Sequence, residues 1–235
     1  MDVFLFILEL IGLVAANLLI AVLVEKFFCR KTGQKFRGVG TREIAMVGVF
    51  SAASAVLMLV EIPLPFAPPF YKLDLSEIPV LILSFAYGPV AGVLCEMLKV
   101  LLKVLFKGTD SAFVGELANF VVGCSFVLPA GICYSHKKTR KTAILGCVLG
   151  TVVMTVFGSF LNGVYLLPTF AKIYGIPLES IVAMGTAIQP SIHSVTALVL
   201  LCVVPFNILK GTVDTVITVL LYKPLSKAIK TGKAR

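Results

Sequence analysis

The feature that most constrains this chain is a succession of apolar stretches, several of them close to the roughly 20 residues that cross a bilayer as a helix. They occupy about residues 3–24, 43–61, 76–106, 114–134, 143–163 and 191–222. Lipid offers no partner for a backbone N–H or C=O, so segments of this kind satisfy themselves as helices. Composition agrees with that reading. A soluble globule needs polar cover, and with 58% of 235 residues apolar and only 14% charged this chain has too little of it. The pattern predicts an all-α integral membrane protein. It argues against a soluble enzyme, a secreted disulfide scaffold and a disordered chain.

The charges predict the orientation. The net charge is +9, and fifteen of the 21 Lys and Arg residues fall in three short zones. The first holds Lys26, Arg30, Lys31, Lys35, Arg37 and Arg42, and the second Lys137, Lys138, Arg140 and Lys141. The third is the tail with Lys223, Lys227, Lys230, Lys233 and Arg235. Basic loops stay on the cytoplasmic side and contact anionic lipid, so this distribution predicts a membrane partner and no nucleic acid. Asp2 and Glu9 stand where a signal peptide would be basic, so the first run is expected to persist as a span with its N-terminus outside. The 76–106 run is too long for one span and contains Gly88-Pro89. It reads as two short helices, about 76–87 and 89–106, joined by a tight inner turn. Residues 107–113 return outside, and 164–190 form an outer segment. The count is seven spans, with the C-terminus cytoplasmic.

Residues 62–75 interrupt the pattern with Pro63, Pro65, Pro68 and Pro69, which exclude a continuous helix. This external loop is apolar and aromatic. Two roles fit it: a structural plug over the bundle, or a lid over a ligand. In the second run, Gly48-x-x-x-Ala52 and Ser51-x-x-x-Ala55 place small residues on shared helix faces. They suit either docking of a partner helix or packing within the chain.

Polar groups inside spans are costly and therefore mark candidate sites. Lys99, Lys103 and Lys107 recur every four residues, with Glu96 one turn ahead of Lys99. They form either a polar wall or a set of ion pairs, with Lys103 and Lys107 reaching out to the interface. Glu116 and Asn119 project together from the start of a span, as a ligand-reading pair or as a helix-start carboxylate with its neighbour. Asn162 ends a span beside Tyr165 and Pro168, and Asn207 and Lys210 sit three apart after Pro205. An amide supplies a donor and an acceptor and a lysine three donors, a set that suits a neutral heterocycle with alternating carbonyl and N–H groups. The alternatives are interhelical hydrogen bonding and a Lys210–Asp214 pair one turn apart. Catalysis has thin support: Ser191 and His193 do not face each other on a helix, and no nucleophile–base pair stands out. The six cysteines form no C-x-x-C, the two histidines no H-E-x-x-H, and there is no P-loop. No metal, cofactor or enzymatic activity is expected.

These stretches, taken in order, resemble one family. They are Phe70-Tyr71-Lys72-Leu73-Asp74-Leu75-Ser76-Glu77-Ile78-Pro79, Tyr87-Gly88-Pro89-Val90-Ala91-Gly92, Gly115-Glu116-Leu117-Ala118-Asn119-Phe120 and Val127-Leu128-Pro129-Ala130-Gly131. Leu161-Asn162 through Pro168 and Pro205-Phe206-Asn207-Ile208-Leu209-Lys210-Gly211 complete the set. The chain is similar, over about residues 41–230, to the riboflavin-specific substrate-binding (S) components of bacterial energy-coupling factor (ECF) transporters. The resemblance implies a six-helix S-component-like bundle at 41–235 that captures riboflavin at the outer face of the bacterial cell membrane. It implies delivery inward with an ECF transmembrane coupling subunit and two ATPase subunits. Residues 1–40 are then an extra N-terminal transmembrane helix with a basic cytoplasmic loop. The family's flavin contacts carry over to Asn162, Asn207 and Lys210, with Glu116 and Asn119 in a matching motif. Phe66 and Leu64 of the loop are expected at the dimethyl edge of the ring. Gly48, Ser51, Ala52 and Ala55 are the expected docking residues, although the family pattern is Ala-x-x-x-Ala. Another vitamin or a flavin phosphate as cargo, or a membrane scaffold or enzyme without transported cargo, are the competing readings.

Overall fold

Proline and glycine set where the helices begin and end. The computed structural model describes residues 3–32, 40–109 and 111–231. Asp2, Lys35, Arg37, Asp110, Lys233 and Arg235, and the side chains of Glu9, Lys31, Lys223, Lys227 and Lys230, lie outside what is described. The helices are α1 (Val3–Thr32), α2 (Thr41–Leu59), α3 (Glu77–Tyr87), α4 (Pro89–Lys107), α5 (Val114–His136) and α6 (Arg140–Leu161). They continue with α7 (Leu167–Tyr174), α8 (Leu178–Ile188), α9 (Val195–Leu198) and α10 (Val204–Thr231). Among the described residues, four helical stretches are long and apolar enough to cross a membrane: Thr41–Leu59, Val114–His136, Arg140–Tyr174 and Val195–Tyr222.

The predicted break at Gly88-Pro89 is present. Gly88 ends α3 with φ at +106°, a conformation that side-chain-bearing residues rarely adopt. Pro89 then opens α4, where its missing N–H costs nothing. Short as it is, α3 is the centre of the bundle. It packs against α2, α4, α5 and α10, and every residue from Glu77 to Phe85 is buried. A helix apolar on most sides has to be enclosed, and α3 is. Around it, α5 packs on α6, α6 on α10 and α2 on α4. The first helix lies on α4 and α5, with Ala21 fully buried. Its Glu25 carboxylate accepts the Val90 N–H at 3.3 Å, satisfying one of the open donors at the start of α4.

The structure corrects the sequence reading beyond Asn162. The span does not end there: residues 162–166 form a wider π-helical turn and the helical path runs on to Tyr174. A second such turn, 199–203, joins α9 to α10. The two have the same cause. In each, the residue before a proline bonds five residues back, Leu167 N–H to Asn162 O and Val204 N–H to Val199 O. Pro168 and Pro205 follow without a donor, and the widened turn relieves the clash a proline ring makes with the preceding turn.

The loop after α2 is a short hairpin. Two-residue strands β1 (Ile62–Pro63) and β2 (Lys72–Leu73) pair antiparallel, Ile62 with Leu73 and Pro63 with Lys72. Glu61 ties its base: its Oε2 accepts from Lys72 Nζ at 2.7 Å and from Lys107 Nζ at 2.8 Å. Burial alone would raise the Glu61 pKa, but the two ammonium groups hold it below the usual carboxylate value.

The small residues of α2 divide between two faces. Val47, Ser51, Ser54, Ala55 and Met58 form the buried stripe, and Ser51 Oγ donates to Cys95 O at 3.3 Å. Gly48 and Ala52 lie on the exposed side. Ser51 and Ala55 are therefore packing residues, which corrects their assignment to a docking face: both are fully buried.

Candidate functional site

Beneath the hairpin lies a cavity of about 750 Å³, its open mouth included. The hairpin contributes Phe70, Tyr71 and Lys72, and the first turn of α3 contributes Glu77. From α5 come Gly115, Ala118, Asn119, Val122 and Gly123, and from α6 Met154. The first π-turn supplies Asn162 and Leu166, α7 Phe170, and α10 Phe206, Asn207 and Lys210. Each π-turn thus delivers an amide. Asn162 opens the first, and Asn207 follows the second by one turn of helix.

Four aromatic rings form much of the wall. Phe70 and Tyr71 stand 4.7 Å apart between ring centres, Tyr71 and Phe206 5.6 Å, and Phe70 and Phe170 6.3 Å. Such a wall suits the faces and edges of a planar ring system. Tyr71 is fixed by its hydroxyl, which donates to Asn162 Oδ1 at 2.7 Å. Asn162 is oriented in turn by donation from Nδ2 to Gly158 O at 2.8 Å. Asn207 differs: its Nδ2 is buried without a hydrogen-bond partner among the described residues.

The charged floor is built from distant parts of the chain. Lys210 Nζ donates to Asp74 Oδ2 at 2.9 Å and to Asp74 O at 3.2 Å. Asp74 also accepts the Ser76 N–H at 2.9 Å and the Ser76 hydroxyl, which organises the approach to α3. The alternative pairing of Lys210 with Asp214 does not form: among the described residues neither Asp214 carboxylate oxygen, both buried, has a hydrogen-bond partner. Beside this pair, Lys99 Nζ bridges Glu77 Oε1 at 2.9 Å and Glu96 Oε1 at 2.7 Å. Gly123 makes room for them: a Cβ there would run into Glu96 Oε1 and stand 3.1 Å from Glu77 Oε1. Of the two readings of the lysine stripe, ion pairing is the observed one. Lys103 pairs with Glu116 at 2.6 Å and Lys107 with Glu61.

The structure brings Asn119, Asn162, Asn207 and Lys210 to one cavity. Asn119 Nδ2 donates to Gly115 O at 3.0 Å, which leaves its carbonyl oxygen and its second N–H to offer. Glu116 is outside the cavity lining. It accepts from Lys103 of α4 and, in the loop before α5, from Thr109 Oγ1 at 2.9 Å and Ser111 Oγ at 3.0 Å. Phe66 and Leu64 do not line it either. Phe66 packs against a buried cluster that includes Ala67, Leu167 and Ile192, and the aromatic wall comes from Phe70, Tyr71, Phe170 and Phe206 instead. Sequence reasoning missed Glu77 and Asp74 as site residues. Their acid groups directly precede an apolar run and read as ordinary helix-start residues.

Three comparisons agree with one another. The family model described as "ECF transporter, substrate-specific component" matches residues 42–222. The riboflavin transporter RibU of Staphylococcus aureus (strain TCH60) is 34% identical over 189 residues, 80% of this chain and 93% of that protein. The riboflavin transporter FmnP of Bacillus subtilis (strain 168) is 32% identical over 194 residues, 82% of this chain and 96% of that one. A solved structure of the S component of a bacterial ECF transporter superposes with a TM-score of 0.63 at 35% identity, covering 80% of this chain and 98% of the other.

Proposed function

The chain belongs to the family of ECF transporter substrate-specific components, and on that premise we infer that it is the riboflavin-binding subunit of a vitamin importer. The observation that carries the reading is the cavity itself. An aromatic wall of Phe70, Tyr71, Phe170 and Phe206 faces a floor that offers the Asn207 amide and the Lys210 ammonium. A flavin needs both: apolar faces to cover its ring system, and donors for the carbonyl groups of its uracil-like edge. Similarity to riboflavin transporters of two other bacteria supports the same ligand.

Flavin binds with its carbonyl-bearing edge toward Asn207 and Lys210, and Asn162 positions Tyr71 over the ring. The hairpin of residues 62–73 closes the site. Of the two roles its prolines left open, this assigns it the lid. The chain supplies capture only. ATP hydrolysis comes from two separate ATPase subunits, transmitted by a transmembrane coupling subunit that docks on the face of α2 carrying Gly48 and Ala52. The cavity mouth faces outward, the basic zones face the cytoplasm, and the N-terminus of α1 lies outside. Residues 41–235 form the binding unit, with 1–40 as an accessory helix and its loop.

The test is titration of riboflavin against the full-length protein purified in detergent, read by quenching of flavin fluorescence. Saturable one-to-one quenching is expected, together with a flavin absorbance spectrum in protein purified from cells that make riboflavin. Absence of saturable quenching by protein that is folded and monodisperse overturns the assignment.

A further inference from the structure

Among the described residues, Glu77, Glu96 and Asp214 each keep a buried carboxylate oxygen without a hydrogen-bond partner, and of the three Glu77 is the one that lines the cavity. One of its oxygens is held by Lys99 at 2.9 Å, while the other, Oε2, is buried with no hydrogen-bond partner. The residue is 2% exposed. A buried carboxylate oxygen without a donor is costly, and native structures retain such groups where something else completes them. The same cavity carries the complementary orphan, the Asn207 Nδ2 donor, and beside it Lys210, with two of its three donors engaged by Asp74. The cavity thus presents an acceptor and donors that lack protein partners.

Resting on the riboflavin reading above, we propose that Glu77 is a specificity-determining residue that accepts a hydrogen bond from the imide N–H of the flavin. The uracil-like edge is a donor between two carbonyl acceptors, the complement of a carboxylate oxygen that shares its cavity with the Asn207 amide and the Lys210 ammonium. Lys99 gives Glu77 its selectivity. It holds one oxygen of the carboxylate, and Glu96 at 2.7 Å fixes Lys99 in turn. Glu77 thus turns its second oxygen, an acceptor, to the ligand, and it rejects a ring that offers a carbonyl or an N-methyl group at that position.

The experiment is fluorescence-quenching titration of the full-length protein in detergent with riboflavin and with 3-methylriboflavin, which replaces only the imide N–H. The native protein is expected to bind riboflavin at least tenfold more tightly than the methylated analogue. In Glu77→Gln the Lys99 ammonium retains the amide oxygen and turns the NH₂ group toward the ligand. Riboflavin binding is expected to fall at least tenfold and the ratio between the two ligands to narrow toward one. Asn207→Ala is expected to weaken both ligands alike and leave the ratio unchanged. Equal affinity of the native protein for the two flavins overturns the proposal, even if the Gln variant does not fold. Full discrimination retained by a folded Glu77→Gln protein overturns it too. If the native protein binds neither flavin, the riboflavin assignment falls, and this proposal with it.

Discussion

Replacing Asn207 by alanine separates a binding residue from a packing residue by the sign of two effects. The Asn207 Nδ2 donor is buried and has no partner among the described residues, and the residue is only 4% exposed. Its desolvation is therefore already a cost of the folded state, typically about 1–3 kcal/mol for a stranded polar group. A ligand carbonyl that meets this donor recovers that energy on binding. Removing the amide strands the ligand's carbonyl instead, so affinity is expected to fall by about 1–3 kcal/mol, or about 5- to 150-fold in Kd. The free protein loses no hydrogen bond from Nδ2, so its thermal unfolding in detergent is expected at or above the native Tm. A purely structural asparagine behaves in the opposite way, with a lower Tm and an unchanged Kd. Fluorescence-quenching titration and a thermal unfolding scan of the same preparation decide the matter. An unchanged Kd refutes the contact, and a Tm lowered by several degrees refutes the claim that the amide is unsatisfied.

The other predictions concern the supports of the site. Lys210→Met leaves the Asp74 carboxylate buried without its counter-ion and is expected to destabilise by about 3–5 kcal/mol. Adding Asp74→Asn should restore most of the loss, as measured by thermal unfolding of the single and double variants. The hairpin tie at Glu61 is expected to respond to acid, because its carboxyl ionises below the usual value in the closed hairpin. Its contribution is complete above the ordinary carboxylate pKa of about 4.3 and is lost as pH falls through the lower value of the closed state. With side chains 40% and 23% exposed the tie is worth less than about 1 kcal/mol. Riboflavin release followed by stopped-flow fluorescence should therefore speed up modestly in acid and in high salt, and Glu61→Gln should abolish both responses. Gly48→Leu, on the exposed face of α2, is expected to leave riboflavin affinity unchanged and to reduce co-purification with the coupling subunit. Undiminished co-purification would move the docking face elsewhere.

What the sequence determined by itself is whatever a local pattern carries. Run length and apolar content establish the membrane class, because the bilayer imposes a length on any helix that crosses it. Gly88-Pro89 marks the α3–α4 break, and the four loop prolines exclude a helix, because proline constrains its own φ and donor within a few residues. Asn162, Asn207 and Lys210 stand out because a polar group in an apolar run is conspicuous without reference to anything else. The tertiary structure decided the pairings. Lys210 lies four residues from Asp214, yet it bonds to Asp74, 136 residues away, because α3 sits at the centre of the bundle and brings its approach segment against α10. Lys99 reaches Glu77 for the same reason. The π-turns before Pro168 and Pro205 follow from how the helical path is held on both sides of each proline, not from the proline alone. Which small residues of α2 remain uncovered depended on where α3 and α4 pack, and that left Gly48 and Ala52 outside and enclosed Ser51 and Ala55. Periodicity says that a helix has faces; only the contacts among helices say what each face meets.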